Sequence, residues 1–427
     1  IDEYDNFANT ILSSIGTYDY GKLTHGVGFL RLFFNKVKEG ATGSGAPISR
    51  LFVTGVSPLT MDDVTSGFNI GKNITLSEEF NRMLGFTEVD VKKILEYYVA
   101  GESGKKPLDF VLGIMEEWYD SYKFSKTAKK RSVYNSDMVL YFIDKYFREE
   151  HIPDQLIDNN VRIDYDKVRY LIINDTGEKR SLNGNFSKLN YIVENGKILS
   201  KLVESFPAEK LLHPDNFISL LFYHGLLTID RIEMDKLRLV IPNETVRRLY
   251  YEFIKESYGE MNIFNIDLHR YSGLMSDMAF KGKWEPLFEY ISSLMRDSMS
   301  LRDLITGEKS VQAFLNVYLG LSELYIVNVE REQNMGYADI VMEPFLAKYE
   351  SIKYSYLLEV KYMAQKEKKS KVKQLRAEAE EQLRTYAMDK KFRKNIKKTT
   401  LIKLALVFQG TELVCLEEAG KVIKKGE

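Results

Sequence analysis

Three residues near the carboxyl end have the types and spacing of a hydrolytic metal site. Gly336-Tyr337-Ala338-Asp339-Ile340-Val341-Met342 puts an acid near the start of a strand-like run. Further on, Tyr356-Leu357-Leu358-Glu359-Val360-Lys361 puts Glu and Lys at i and i+2, which a strand places on one face. If the two strands are neighbours, Asp339 and Glu359 converge on a hard divalent cation, Mg2+ or Mn2+, through carboxylate oxygens. Lys361, on the same face, would orient or help deprotonate the attacking water and offset phosphate charge. Such an ion polarises a phosphodiester and generates hydroxide near neutral pH, the chemistry of a metal-dependent nuclease. A Glu-x-Lys pair in a strand is commonly just a solvated face. Leu357, Leu358 and Val360 around it argue for a buried strand instead.

Other polar residues gather near these. A Glu/Lys/Ala-rich run from about Lys366 to Asp389 has the composition of a long helix. It carries Gln382 and Tyr386 at i and i+4, on one face. Gln382 is a candidate catalytic side chain and Tyr386 a candidate nucleic-acid contact, with ordinary helix polarity as the alternative. Glu308 could add an acid to the metal or could simply suit a helix N-terminus; Glu330 is a weaker candidate still. Residues 361–400 hold 14 Lys/Arg against 5 Asp/Glu. Lys366, Lys369 and Lys373 are the candidate phosphate contacts there, acting by counterion release. A second basic run, Lys390 to Lys398, follows the helix.

The amino terminus offers a different chemistry. Ile1-Asp2-Glu3 is an acidic pair after an apolar residue, as at the end of an ATPase strand. Asp2 would hold Mg2+ through water and Glu3 would polarise the attacking water. Thr54, in Thr54-Gly55-Val56-Ser57-Pro58, closes the next strand-like run with a hydroxyl able to sense a γ-phosphate. No G-x-x-x-x-G-K-[ST] loop occurs in the sequence. Gly101-Glu102-Ser103-Gly104-Lys105-Lys106 lacks the spacing and reads as a turn. Without a phosphate cradle, efficient ATP hydrolysis by these residues alone is not expected.

The elements that must position these groups point to an α/β multidomain chain. Leu51–Val56 reads as a buried strand, and Phe29–Phe34 with Val37 as a helix packed on it. Gly40–Pro47 reads as a flexible connection. Helices are expected near Ser77, over Glu88–Tyr98 and over Asp109–Tyr119. The aromatic run Trp118–Phe124, with Val133-Tyr134-Asn135, reads as a core clasp. An apolar helix over Phe217–Leu227, a hairpin from Leu227-Thr228-Ile229 to Leu237–Ile241 and a helix over Thr245–Lys255 follow the order of a winged helix. A structural lid suits it better than a DNA reader, because the hairpin is not notably basic. Next come a helix over Ser310–Leu321, strands over Leu324–Val329, Tyr337–Met342 and Tyr356–Tyr362, the long helix, and a strand over Leu401–Phe408. The expected domains are 1–75, a partial P-loop-like α/β core; 76–280, a helical and winged-helix region; and 281–427, an α/β unit of its own.

Composition narrows the classes. The chain has 427 residues, 44% hydrophobic and 28% charged, with 27 Gly and 9 Pro, which excludes disordered and collagenous classes. One cysteine, Cys415, cannot form an internal disulfide and favours a reducing, cytoplasmic setting. No apolar run approaches the roughly 18–20 residues of a membrane span. The net charge of -1 averages the basic 361–400 segment against a remainder with 46 Lys/Arg and 56 Asp/Glu, so it does not exclude nucleic acid. The sequence opens on Ile1 rather than Met, so its length reads as a lower bound.

With these residues in view, the chain resembles a family of prokaryotic proteins in which an AAA-ATPase-like domain precedes a PD-(D/E)XK nuclease-superfamily domain. Ile1–Asp5 resembles the family's Walker B segment and Thr54–Pro58 its sensor strand. Trp118–Phe124, Val133–Asn135 and Leu220–Thr228 resemble its middle signatures. Asp339, Glu359 and Lys361 fall on the nuclease motif, with Gln382 and Tyr386 on the following helix. Tyr337 departs from the Gly-Arg-x-Asp pattern of many relatives. The resemblance implies Mg2+- or Mn2+-dependent cleavage of DNA gated by ATP in the full-length protein, a carboxyl domain with a restriction-endonuclease-like fold, and a homo-oligomer through the ATPase domain. The alternatives are a nucleotide-switched regulator or scaffold whose nuclease fold binds nucleic acid or a partner without cutting, and a pure ATPase whose carboxyl domain serves assembly.

Overall fold

The computed structural model describes residues 1–4, 29–56, 70–99, 107–127, 132–161, 172–175, 180–206, 210, 213–333, 336–388, 396 and 398–420. Packing divides the chain into two compact units, Ile1–Leu249 and Tyr250–Glu427.

In the first unit, helix α1 (Phe29–Ala41) buries Phe34 among Tyr4, Val37, Leu51 and Ile70. The buried strand expected over Leu51–Val56 is not formed: the segment is no regular strand, and Phe52 and Val56 are exposed. Its backbone still bonds alongside the amino terminus: the Ile1 amine donates to Phe52 O (2.9 Å), Thr54 N to Ile1 O (2.9 Å) and Tyr4 N to Thr54 O (3.0 Å). Ser57 and Pro58, and Gly101 to Lys106, lie outside the described residues.

Helices α2 (Glu88–Val99), α3 (Leu108–Tyr119) and α4 (Ser136–Glu149) follow. The aromatic run packs as a core: Trp118, Tyr119, Tyr122 and Tyr134 are buried. The Tyr119 hydroxyl donates to Leu156 O at 2.7 Å. The helix expected near Ser77 is a single 3-10 turn, Glu78–Phe80. A two-stranded ribbon, β1 (Ile173–Asp175) and β2 (Arg180–Leu182), comes next. Then α5 (Gly184–Asn195), β3 (Lys197–Ser200), α6 (Pro214–Tyr223), β4 (Thr228–Glu233), β5 (Lys236–Val240) and α7 (Glu244–Glu260) run in order. Helix α6 stops before Leu227 because Gly225, at φ 71°, turns the chain toward β4. The short β3, too brief to stand out in the sequence, pairs antiparallel with β5, giving a three-stranded sheet in the order β3-β5-β4.

The second unit is a mixed α/β body. Helices α8 (Leu268–Lys281), α9 (Glu285–Asp297) and α10 (Met299–Leu304) precede α11 (Glu308–Gly320). Then come β6 (Tyr325–Gln333), β7 (Gly336–Pro344), β8 (Tyr354–Met363), α12 (Lys371–Tyr386), β9 (Thr400–Gln409) and β10 (Glu412–Glu418). The sheet order is β10-β9-β8-β7-β6; β8 and β9 are parallel and the other pairs antiparallel. Strand β8 is central, and every residue from Ser355 to Lys361 is buried, the run expected of a strand covered on both faces.

Helix α8 packs on β8: the Tyr356 hydroxyl donates to Met278 O at 2.7 Å, and Lys353 N to Ala279 O at 3.1 Å. Helix α11 is buried from Val311 to Gly320. Its last residue must be glycine, since a Cβ there would lie 2.3 Å from the Tyr251 ring. Helix α12 is shorter than its composition suggests. Residues 366–370 form turns before it, where Glu367 accepts from Ala364 N and from Lys371 Nζ. The edge strand β10 was not foreseen, as Glu412, Glu417 and Glu418 interrupt its apolar run. Among the described residues no helix is long and apolar enough to cross a membrane.

Candidate active site

The start of α11 is fixed by Ser310, whose hydroxyl accepts from Thr306 N and Gly307 N at 3.0 Å and donates to Gly307 O at 2.8 Å. That sets the rotation of Glu308 and of Gln312, one turn further on. Strands β7 and β8 pair in the register Ile340↔Leu358, Val341↔Leu357 and Met342↔Tyr356. Asp339 and Glu359 therefore fall on the same sheet face. The ladder stops at Ile340↔Leu358, and the next free amide of that edge, Val360 N, donates to Asp339 Oδ2 at 2.8 Å. The Asp339 carboxylate thus replaces a backbone acceptor where the two strands part.

Glu359 is 1% exposed and Lys361 9% exposed. The Lys361 ammonium donates to Glu359 Oε1 at 2.8 Å, while among the described residues the buried Glu359 Oε2 has no hydrogen-bond partner. Glu308 Oε1 stands 3.9 Å from Lys361 Nζ on a side chain 40% exposed, at the rim of the cluster. Two acids on one face raise each other's proton affinity. Burial pushes the Asp339 carboxyl up to about 6, against the Val360 amide and Lys361, which pull it down. Burial, and then the charge of Asp339, push Glu359 up to about 8. Burial works against the Lys361 ammonium. Its hydrogen bond to Glu359 and the surrounding acids outweigh that and hold it above the ordinary lysine value.

From α12, Tyr386 is buried close enough that its phenol is pushed up by burial first and then by the charges of Glu359 and Asp339. Gln382 lies one turn before Tyr386 on α12, and among the described residues its buried Oε1 has no hydrogen-bond partner. The structure therefore gathers Asp339, Glu359, Lys361, Gln382 and Tyr386, with Glu308 beside them. Lys366, Lys369 and Lys373 are exposed on the turn before α12 and on its first turn. They make no hydrogen bond or ion pair to the cluster. Much of the neighbouring positive charge is locally neutralised: Lys371 pairs with Glu367, and Arg376 with Glu380 and Glu417. Most of the second basic run lies outside the described residues.

One site residue escaped the sequence. Gln312, one turn beyond Glu308 on α11 and 5% exposed, lowers the proton affinity of the Asp339 carboxyl. Its spacing of four from Glu308 was a signal only once the helix rotation was known. At the amino terminus, the Thr54 hydroxyl donates to Asp2 Oδ1, and Glu3 N donates to the same oxygen at 3.1 Å. Glu3 itself sits at φ 47°, in the left-handed region. Asp2 and Thr54 are thus in contact, with Glu3 turned sharply beside them.

The donor set suits a hard cation. It offers two mutually repelling carboxylates, one with a buried oxygen lacking any donor. Among the described residues no cluster of three or more His, Cys, Asp and Glu side chains has metal-binding geometry, so any ion held here rests on a two-carboxylate core.

Two stretches of the chain match known families. Residues 306–418 match the PD-(D/E)XK nuclease superfamily, and residues 1–65 match the family described as Predicted AAA-ATPase. The first span runs from Thr306, just before α11, to the end of β10 and contains every residue of the carboxylate cluster. Searches of curated proteins and of solved structures returned no match. The chain thus carries a PD-(D/E)XK superfamily domain and an AAA-ATPase-like region.

Proposed function

We propose that this protein is a metal-dependent nuclease acting on DNA. The reading rests on one observation: Asp339, Glu359 and Lys361 converge on one sheet face, within a span matched by the nuclease superfamily. Asp339 and Glu359 would hold Mg2+ or Mn2+. Bound there, the ion supplies Lewis-acid polarisation of the phosphodiester and of the attacking water. Lys361 stays protonated among the acids, so its part is that of a fixed cation. It orients the nucleophile and compensates charge developing on the phosphate. Gln382 and Tyr386 line the α12 side and orient the nucleic-acid backbone. Lys366, Lys369 and Lys373 supply exposed positive charge for the flanking phosphates.

The amino-terminal region is read as an ATP-responsive element. The Asp2–Thr54 contact supports that reading, because it joins the residue suited to Mg2+ with the one suited to the γ-phosphate. The α5-β3-α6-β4-β5 segment is read as a winged-helix lid. On its hairpin, Arg231 and Arg238 are both paired with Asp230 and Glu233, which leaves little charge for DNA.

The deciding experiment measures Mg2+- and Mn2+-dependent cleavage of single- and double-stranded DNA by the protein and by Lys361→Ala. Cleavage by the parent that is lost in the variant supports the assignment. Equal activity in both, or none in either with metal bound away from Asp339, sinks it.

A further inference from the structure

The turn that leads from β8 to α12, residues 364–370, is mostly exposed but closely tied down. Gln409, the last residue of β9, is buried beside it. Its Nε2 donates to Gln365 O and Glu367 O, both at 3.0 Å, with Ala364 O a longer neighbour at 3.5 Å. The two shorter bonds use both hydrogens of the amide. Gly410 N adds a backbone tie, donating to Met363 O at 3.1 Å. Inside the turn, Glu367 N donates to Ala364 O and Ala364 N to the Glu367 carboxylate, each at 2.9 Å.

What this bracing holds in place is positive charge. Lys366, Lys368 and Lys369 stand exposed on the turn, and among the described residues none of them has an ion pair or a side-chain hydrogen bond. The acid between them, Glu367, is committed elsewhere: one oxygen meets Lys371 Nζ at 2.5 Å and the other takes the Ala364 amide. Further along α12, Arg376 is neutralised by Glu380 and Glu417, so the turn differs from the helix it opens into. Ordering such a turn costs backbone entropy and brings like charges together; a polyanion lying across the lysines offsets both. A strand advances about 3.3 Å per residue, so Met363, where the turn begins, lies roughly 7 Å along β8 from Lys361. That is about two nucleotides of rise on a DNA strand, the reach of a neighbouring phosphate rather than the reacting one.

We infer that Gln409 is a positioning residue for nucleic-acid binding: its amide fixes the 364–369 turn so that Lys366, Lys368 and Lys369 meet the backbone phosphates beside the one being cut. The inference rests on the nuclease reading, and two separate readouts keep the two apart. Gln409→Met keeps the bulk and removes both donors; Gln409→Ala takes its place if the methionine variant fails to fold. Lys366→Gln, Lys368→Gln and Lys369→Gln combined remove charge from exposed positions and leave the bracing intact. All are compared without metal, so that no DNA is cut. Hydrogen exchange at the Ala364 and Glu367 amides reports on the turn, and fluorescence anisotropy of a labelled short duplex DNA, over a range of salt concentrations, reports on binding.

Exchange at Ala364 and Glu367 should be about tenfold faster or more in Gln409→Met. Its DNA affinity should fall about tenfold with the salt slope kept, since no charge is lost. The triple lysine variant should flatten that slope by about 2–3, with parent-like exchange. Placed in the triple variant, Gln409→Met should weaken DNA binding by less than about twofold further. Parent-like exchange or parent-like DNA affinity in a folded Gln409 variant overturns the inference, as does an unflattened slope in the triple variant. An equal further loss in the triple background overturns it too, because that marks a general packing effect. A parent protein that binds no DNA overturns the nucleic-acid reading and the role of the turn with it, and the exchange comparison still decides whether Gln409 holds the turn.

Discussion

Glu244 and Glu359 are carboxylates with almost no exposed surface, and each meets a cation at hydrogen-bond distance. Glu244, at the start of α7, accepts from Arg248 Nε and Arg247 Nη1, both at 2.9 Å. Arg248 in turn lies over the Trp118 ring, 4.9 Å from its centroid. There two guanidinium groups serve one acid, and both carboxylate oxygens are used. Around Glu359 the balance is reversed. Lys361 is shared among Glu359, Asp339 and the more distant Glu308, and Glu359 Oε2 is bonded to nothing. The first arrangement is complete as it stands. The second is short of positive charge in a buried place, which costs stability unless a further cation arrives.

If the difference is one of purpose, the two clusters respond oppositely to mutation. The largest effect is expected on chemistry: Lys361→Ala should lower DNA cleavage by roughly 10²–10³-fold at temperatures where the protein is folded. Glu244→Ala should leave cleavage per folded molecule near the parent value. The same Glu244→Ala should cost about 3–5 kcal/mol of stability, since it strands two buried or half-buried arginines. Chemical denaturation measures it, and a loss under 1 kcal/mol would show that the α7 pair is not the structural counterpart argued here.

Asp339→Asn should do the reverse, abolishing metal-dependent cleavage while stabilising the metal-free protein at pH 7.5 by on the order of 1–2 kcal/mol. Asp339 and Glu359 both titrate above their ordinary values, at about 6 and about 8. The folded chain therefore keeps protons that the unfolded chain releases. Their contribution to stability is fully present below the unfolded carboxyl values near 4 and is lost as pH rises through 6 and then 8. The smallest expected effect is thus a gentle fall in the melting temperature of the parent between pH 5 and 8 without metal. That fall should be shallower in Asp339→Asn and reduced by added Mn2+. A parent melting temperature that rises over that range would contradict the charge balance assigned to Glu359.

Much of the carboxyl-terminal unit was legible because strands have a period of two. Leu357, Glu359 and Lys361 alternate with Leu358 and Val360, and the apolar flanks mark a buried strand whichever face the acid takes. Asp339 was readable for the same reason once β7 and β8 were taken as neighbours. The burial of Gln312 was not, because it depends on how far α11 is rotated against the sheet, and that is set by Ser310 and by packing across the whole helix. The basic surplus after residue 361 was plain in composition. Its partial neutralisation was not, since the pairing of Arg376 with Glu417 joins α12 to an edge strand that propensity alone does not reveal. The amino-terminal acids gave their types but not their geometry, because a contact such as Asp2 with Thr54 bridges two distant segments.

The parallel pairing of β8 with β9, from Tyr354↔Thr400 to Met363↔Gln409, has a consequence for the order in which this molecule comes into being. Parallel neighbours need a crossover, here α12 and the chain that follows it, and such distant pairings form late. Until β9 pairs along β8, the edge of the strand that carries Glu359 and Lys361 stays open. In that state Glu359 and Lys361 are less buried than in the finished fold. The cluster acquires its unbalanced charge only when β9 closes on β8, so the carboxylate site is completed late in folding.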